Sequence, residues 1–439
     1  MHIYTIKNDN KSEMWIYSDG IYIPHGKSYI KQYCRAILNE YYTITITNKI
    51  IAKIEADTYI DEEIFFDQEL TNIIPVKNGL LDVKTREMHK FDPKKIYFSK
   101  FPVYYDPKKT EMPNIKKFME STLKKQDDIL TMQEIIGYIL LAEQKFKKAF
   151  MFLGNGDNGK SVMLDLIIGL IGTENTSNVT LQSLDEDQFA VSDIFGKRLN
   201  VNADINRTAL NETSMFKNLV AGDRISANRK FMTPIKFRNQ AKMLFAANGL
   251  PNTVDDTDGF FTRWIVIDFP FSFKRESDYN ELTDKERASG KYKIADMELT
   301  EKITTPEELT ALLNWGLDGL ERLLRTKEFT TSSSVESIKD HWNRAASSMY
   351  SFIKDCLEIT LNPEHFIIAT DLRVAYIRYC QENRLKRMTP KECTNLLNEE
   401  PIRYSMKKMF LSGANFENRR VWEGMRFKDG YEYLKGDGQ

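Results

Sequence analysis

The sequence predicts an α/β protein with a largely parallel central sheet, and three observations carry that expectation. Short apolar segments at 199–203, 243–247 and 264–267 each read as a buried strand. They alternate with helical patterns, and strands joined by helices form parallel sheets because each crossover covers a face. A further apolar strand, 149–153, runs into a glycine-rich loop and then a helical run at 162–171.

The flanking elements follow in order. Residues 1–110 read as an α+β domain rich in short strands. Asp19-Gly20 sits between 15–17 and 21–23 as a hairpin turn, and Asn78-Gly79 before Leu80-Leu81-Asp82-Val83 marks a second one. Asp106-Pro107 and Met112-Pro113 set a boundary. Over 111–148 the apolar residues Phe118, Leu123, Ile129, Ile135, Ile136, Ile139 and Leu140 recur at helical spacing. The core is placed at 149–275. A lid or linker at 276–345 is helical from 305 to 325, and Thr330-Thr331-Ser332-Ser333-Ser334 reads as a hinge or a helix N-cap. The last part, 346–439, holds helices and then a short strand-like end at 420–422 and 425–427.

Composition narrows the function classes. The chain has 439 residues, 41% hydrophobic and 28% charged, which is ordinary for a globular protein of two to four domains. No apolar run reaches the roughly 18 residues of a membrane span, and charges stand where a signal peptide needs its apolar centre, so a cytoplasmic location without membrane contact is expected. The four cysteines fit neither a zinc pattern nor a disulfide scaffold. The five scattered histidines offer no metal cluster. With a net charge of −1, any nucleic-acid contact must come from a local basic patch.

Gly154-Asn155-Gly156-Asp157-Asn158-Gly159-Lys160-Ser161 fits the phosphate-loop spacing G-x-x-x-x-G-K-[ST]. Glycines at these positions let backbone N–H groups turn toward a phosphate, and the following helix N-terminus adds its dipole. Lys160 reaches the β- and γ-phosphates of ATP, and the Ser161 hydroxyl takes Mg²⁺. Asp204 closes the segment Arg198-Leu199-Asn200-Val201-Asn202-Ala203 as the second acid for the metal, or as a solvated strand end. Asn248 ends Lys242-Met243-Leu244-Phe245-Ala246-Ala247, either orienting the attacking water and the γ-phosphate or capping the turn into Gly249-Leu250-Pro251. Arg263 could act in trans on a neighbour's γ-phosphate, or be a surface arginine. Between Lys217 and Lys242 stand seven Lys/Arg (with Arg224, Arg229, Lys230, Lys236 and Arg238) against Asp223. A hairpin tip exposing Arg229, Lys230 and Phe231 would suit a single strand of DNA, and a solvated charged face would use the same residues.

These motifs, with Phe216-Lys217-Asn218-Leu219-Val220-Ala221-Gly222-Asp223 and Thr262-Arg263-Trp264, resemble in order those of superfamily 3 helicases. The nearest group is the phage, plasmid and poxvirus-type primase–helicases. Asn78-Gly79-Leu80-Leu81-Asp82 and Pro102-Val103-Tyr104-Tyr105-Asp106-Pro107 resemble the domain that precedes the motor there. The resemblance implies an AAA+-like, ATP- and Mg²⁺-dependent helicase that moves 3′ to 5′ on single-stranded or forked DNA. It further implies a homo-oligomeric ring, a hexamer, with ATP sites between subunits and a primase as a further partner. In it Lys160 and Ser161 belong to Walker A, Asp204 to Walker B, Asn248 to motif C, and Arg263 is the arginine finger. The 111–148 segment is its collar and 346–439 a winged-helix-like domain. Two departures stand out: one arginine where relatives carry a pair, and a single acid in Walker B. Asp185-Glu186-Asp187 lies between the ATPase motifs and reads as surface loop, so primer synthesis is not expected. The rival readings are a DNA-remodelling or loader ATPase that does not unwind, and a nucleotide-gated assembly scaffold.

Overall fold

The computed structural model describes all residues except 1, 8–11, 68, 204, 206–209, 211, 252, 254, 256, 332–333, 384, 412–414 and 432–439, and the side chains of 345, 408–411 and 415–417. The chain divides into two compact units, 1–249 with 253–338, and 339–439 with 250–252.

The larger unit is built on five parallel strands: β1 (Ala149–Leu153), β2 (Thr176–Ser177), β3 (Leu199–Asn202), β4 (Lys242–Ala247) and β5 (Trp264–Asp268). Their spatial order is β5-β1-β4-β3-β2. The interior strand β1 pairs Phe150 with Leu244 on one side and with Ile265 on the other. Ala149, Phe150, Met151 and Phe152 are fully buried, as a strand with covered faces requires. The order puts the ends of β4 and β5, not β3, next to the end of β1.

Two helices lock this unit together. Helix α1 (Gln126–Leu140) packs along α4 (Pro306–Thr326), with α2 (Lys160–Ile171) and α3 (Ser214–Ala221) between them in sequence. Glycines allow the close approach of α1 and α4: a Cβ on Gly137 would lie 2.5 Å from Leu320 N. Glu134, buried on α1, accepts from Arg322 Nε at 2.8 Å and Thr330 N at 2.7 Å. Burying that carboxylate is tolerable because every contact it makes comes from a donor.

In the N-terminal part, Ile21–Ile23, Glu13–Ser18, Ile3–Ile6 and Tyr59–Ile60 form a sheet in that order. Asp19 and Gly20 turn its hairpin with φ of 50° and 96°. The Asn78-Gly79 hairpin joins Ile73–Val76 to Gly79–Asp82, antiparallel. Two helices in this region, Gly26–Leu38 and Ile44–Asp57, did not emerge from the strand-rich reading of the sequence. Thr43 caps the second, accepting from Ile46 N at 3.2 Å.

The smaller unit runs helix, strand, helix, helix, hairpin: Ser348–Cys356, Phe366–Ile368, Ala369–Glu382, Pro390–Glu399, then Arg403–Leu411 with Asn415–Glu423. Its apolar core gathers Phe352, Cys356, Ala375, Trp422 and Met425. The expected strand-like end is found, 420–422 within the strand Asn415–Glu423 and Met425–Phe427 as a strand of its own. The sequence reading missed the partner of the first, Arg403–Leu411, whose charged residues obscured it. The four cysteines are free thiols. Among the described residues no helix is long and apolar enough to cross a membrane.

Candidate functional site

The loop after β1 turns into α2 at Gly159, whose φ of 87° lies in the left-handed region that favours glycine. Lys160 opens the helix and is 7% exposed. Its ammonium donates to Gly154 O and, at 3.2 Å each, to the side-chain oxygens of Asn158 and Asn248. Lys160 and Asn248, which are 88 residues apart, therefore meet because β4 lies beside β1. Asn158 is held in turn by donating to Phe269 O at 3.3 Å.

A cleft of about 690 Å³ opens over this cluster. Gly156, Ser161, Ala203 and Asn248 line one part of it, and Phe273, Arg275, Asp278 and Met297 another. The volume falls within the roughly 300–1,000 Å³ of small-molecule sites. Chain following β5 closes against the loop: Phe273 N donates to Asp157 O at 2.6 Å, and Lys274 pairs with Asp157 at 3.3 Å. A helix N-terminus, Lys160 and the exposed Arg275 offer the cleft positive charge, with Asp157, Asp278 and Asp296 also on its lining. Lys274 and Arg275 went unread in the sequence, although Phe273-Lys274-Arg275 just past a strand end is a signal that could have found them.

For the expected divalent cation, the one described donor is a hard oxygen. The Ser161 hydroxyl lies in the first turn of α2 on the same cleft as the ammonium. Asp204, the expected second ligand, lies outside the described residues; its neighbour Ala203 lines the cleft.

Arg263 is elsewhere. It precedes β5, and its carbonyl accepts from Ala149 N, so it sits at the start of the strands. Five strand residues at about 3.3 Å each put it about 15 Å from the loop of its own chain. Its Nη1 donates to Gly259 O, and its Nε is buried with no partner. Burial, and then Arg263 itself, lowers the pKa of nearby Lys148 from its usual range.

The basic segment forms the expected hairpin, Arg224–Arg229 with Met232–Arg238. Phe231 at its tip is 83% exposed, and the Lys230 ammonium lies 5.5 Å from the ring centroid. Arg229 is not an exposed tip residue. Its guanidinium makes a bidentate pair with Glu13 at 2.9 and 2.8 Å and lies over the Phe66 ring. The other cations divide likewise. Lys217 pairs with Asp255 at 2.8 Å, Arg224 with Asp67 at 3.1 Å, and Arg238 reaches Asp67 at 3.7 Å. Lys242 is fully buried, donating to the carbonyls of Leu141 at 2.7 Å and Glu143 at 2.9 Å. Lys230 and Lys236 remain exposed, with no carboxylate partner among the described residues. A single free patch of seven charges is thus reduced to a tip.

Comparison with known proteins adds relatives to this geometry. Residues 8–124 match a family described as D5 N terminal like, and residues 152–263 match a family of unknown function, DUF5906. The candidate helicase L207/L206 of Acanthamoeba polyphaga mimivirus is 28% identical over 197 residues, 41% of this chain and 20% of that protein. The chain thus matches about a fifth of that relative's length. The apo structure of the NrS-1 C-terminal region covers 96% of both chains with a TM-score of 0.50 at 12% identity. That likeness shows a shared fold.

Proposed function

We propose that this chain is the ATP-hydrolysing motor of a ring-forming DNA helicase of superfamily 3, of viral, plasmid or similar origin. The observation that carries the reading is the Lys160 ammonium shared between the phosphate loop and Asn248 Oδ1. A γ-phosphate entering the cleft meets the lysine that binds it and the amide that can orient water against it. Loop N–H groups and Lys160 bind the β- and γ-phosphates, and Arg275 adds a second cation. Magnesium would be held by Ser161 and Asp204 and would neutralise charge on the phosphate oxygens. Arg263, too distant to serve its own site, is the residue that would act on a neighbour's γ-phosphate across a subunit boundary. This requires a homo-oligomer, read as a hexamer.

Lys230 and Phe231 are the proposed single-strand contacts, one on backbone phosphate and one stacking on a base. The Phe231 ring, 83% exposed beside a cation at the tip, is available for such stacking. Arg229 holds the hairpin in place instead. The order of elements in the smaller unit supports a winged-helix-like reading of it. The relationship to a mimivirus protein named as a candidate helicase agrees with the whole.

The test is steady-state ATP hydrolysis with and without single-stranded DNA, followed by strand displacement on a fork. Turnover stimulated by DNA and abolished in Lys160→Ala is expected. Turnover indifferent to DNA would sink the helicase reading.

A further inference from the structure

At the opposite end of the sheet from the cleft lies a second cavity, of about 430 Å³. It has no part in the reading above. Arg198, which precedes β3, lines it and is 4% exposed. The guanidinium donates through Nη1 to Gln240 Oε1 at 2.7 Å and through Nη2 to Leu140 O at 2.6 Å, while its Nε is buried with no partner. Among the described residues no carboxylate pairs with it.

The charge around Arg198 is unbalanced. Lys242, fully buried, lies close enough to repel it, and each cation lowers the stability of the other's charge. Both donate to carbonyls at or just past the C-terminus of α1, where the helix carries about half a negative charge. The helix end offers the Arg198 guanidinium only a partial charge, and burial, then Arg198 itself, lowers the Lys242 pKa well below its usual range. The cavity rim adds exposed Lys94 and Lys95, and Arg238 engaged with Asp67, against one lining carboxylate, Glu69. The walls are aromatic, with Tyr97, Phe98, Phe195 and Phe237 among them.

A buried guanidinium with a spare donor, two rim lysines and aromatic walls form a site for a planar organic anion. We propose that this cavity binds an organic phosphate of mononucleotide size, the phosphate on Arg198 and the rim lysines and the ring against the aromatic walls. The volume is in the range of small-ligand sites. Arg198 and the loop stand at opposite ends of the strands, so the two sites are separate.

Isothermal titration of the full chain carrying Lys160→Ala, which disables the loop site, tests this with AMP, inorganic phosphate and adenosine as probes. AMP is expected to bind once per chain, phosphate more weakly, and adenosine without measurable heat. Adding Lys94→Glu and Lys95→Glu, both at exposed positions, should weaken AMP by about ten-fold or more. Arg198→Lys keeps the charge, loses the fork, and should weaken AMP as well; if that variant does not fold, the rim pair decides. Absence of AMP binding at millimolar concentration overturns the proposal. So does equal binding of AMP and adenosine, or AMP affinity unchanged in the rim variant.

Discussion

Lys160, which opens helix α2, and Lys242, which opens strand β4, are two buried lysines of one unit, and they are buried for opposite reasons. Lys242 donates to main-chain carbonyls past α1, and the Tyr138 ring lies 4.3 Å away. It lines neither the cleft over Lys160 nor the cavity at Arg198, and its donors serve the fold at the C-terminal end of a helix. Lys160 donates to two main-chain carbonyls, those of Gly154 and Asn155, and to two side-chain amides, and a cleft lies over it. Its partners can be exchanged for a ligand's oxygens. Burial of a cation therefore says little about function; the replaceability of its partners says much.

The largest effect that could break this contrast is on turnover. Lys160→Ala should lower the ATP hydrolysis rate by about a thousand-fold while leaving the urea midpoint nearly unchanged. Loss of folding instead would make Lys160 structural like its counterpart. Lys242→Met should do the reverse, costing about 3 kcal/mol in urea denaturation because carbonyls at the helix end lose their donor. Burial holds the Lys242 pKa below its ordinary value, so the unfolded chain binds the proton more tightly. The sign follows: stability from this group rises with pH up to the usual lysine range, and Lys242→Met should flatten that rise.

Smaller effects sharpen the same contrast in the basic hairpin. Arg229→Ala should cost about 2 kcal/mol of stability by stranding Glu13, whereas Lys230→Ala with Phe231→Ala should leave stability alone. The tip pair should instead reduce stimulation of hydrolysis by single-stranded DNA. Equal losses of stimulation in both variants would return Arg229 to the contact set. The least effect is expected at Asp255. Burial favours its neutral form, but hydrogen bonds from Lys217, Thr213 and Thr257 overcome this and hold the carboxyl well below the usual range. That stabilisation is present above the ordinary carboxylate pKa and is lost as pH falls below it. Asp255→Asn should cost about 1 kcal/mol at pH 7, with the difference from the parent shrinking steadily as pH falls below the ordinary carboxylate range in acid denaturation.

What the sequence made legible was local. The strand before Gly154, the glycine at 159, the apolar runs of β3, β4 and β5, and the turns at Asp19-Gly20 and Asn78-Gly79 each reveal themselves within a dozen residues. The pairing of Lys160 with Asn248 was only implied by strand-end spacing, and strand order decided it. The fate of the basic segment was not legible, because the deciding partners are remote: Glu13 lies 216 residues from Arg229 and Glu63 lies 161 from Arg224. Lys242 looked like the end of a charge run, yet it begins a strand whose side chains are all buried. A charge count cannot separate a cation facing solvent from one facing a helix end.

The bond from Lys160 to Asn248 means that the cleft is self-occupied before any ligand arrives. An entering anion must compete for an ammonium that already has oxygen partners. A single negative group gains little by that exchange, whereas a polyphosphate offers several oxygens at once. In the proposed ATPase the amide oxygen would reclaim the ammonium when a terminal phosphate departs, so the loop would set a threshold for multiply charged ligands and carry its own competitor for their release.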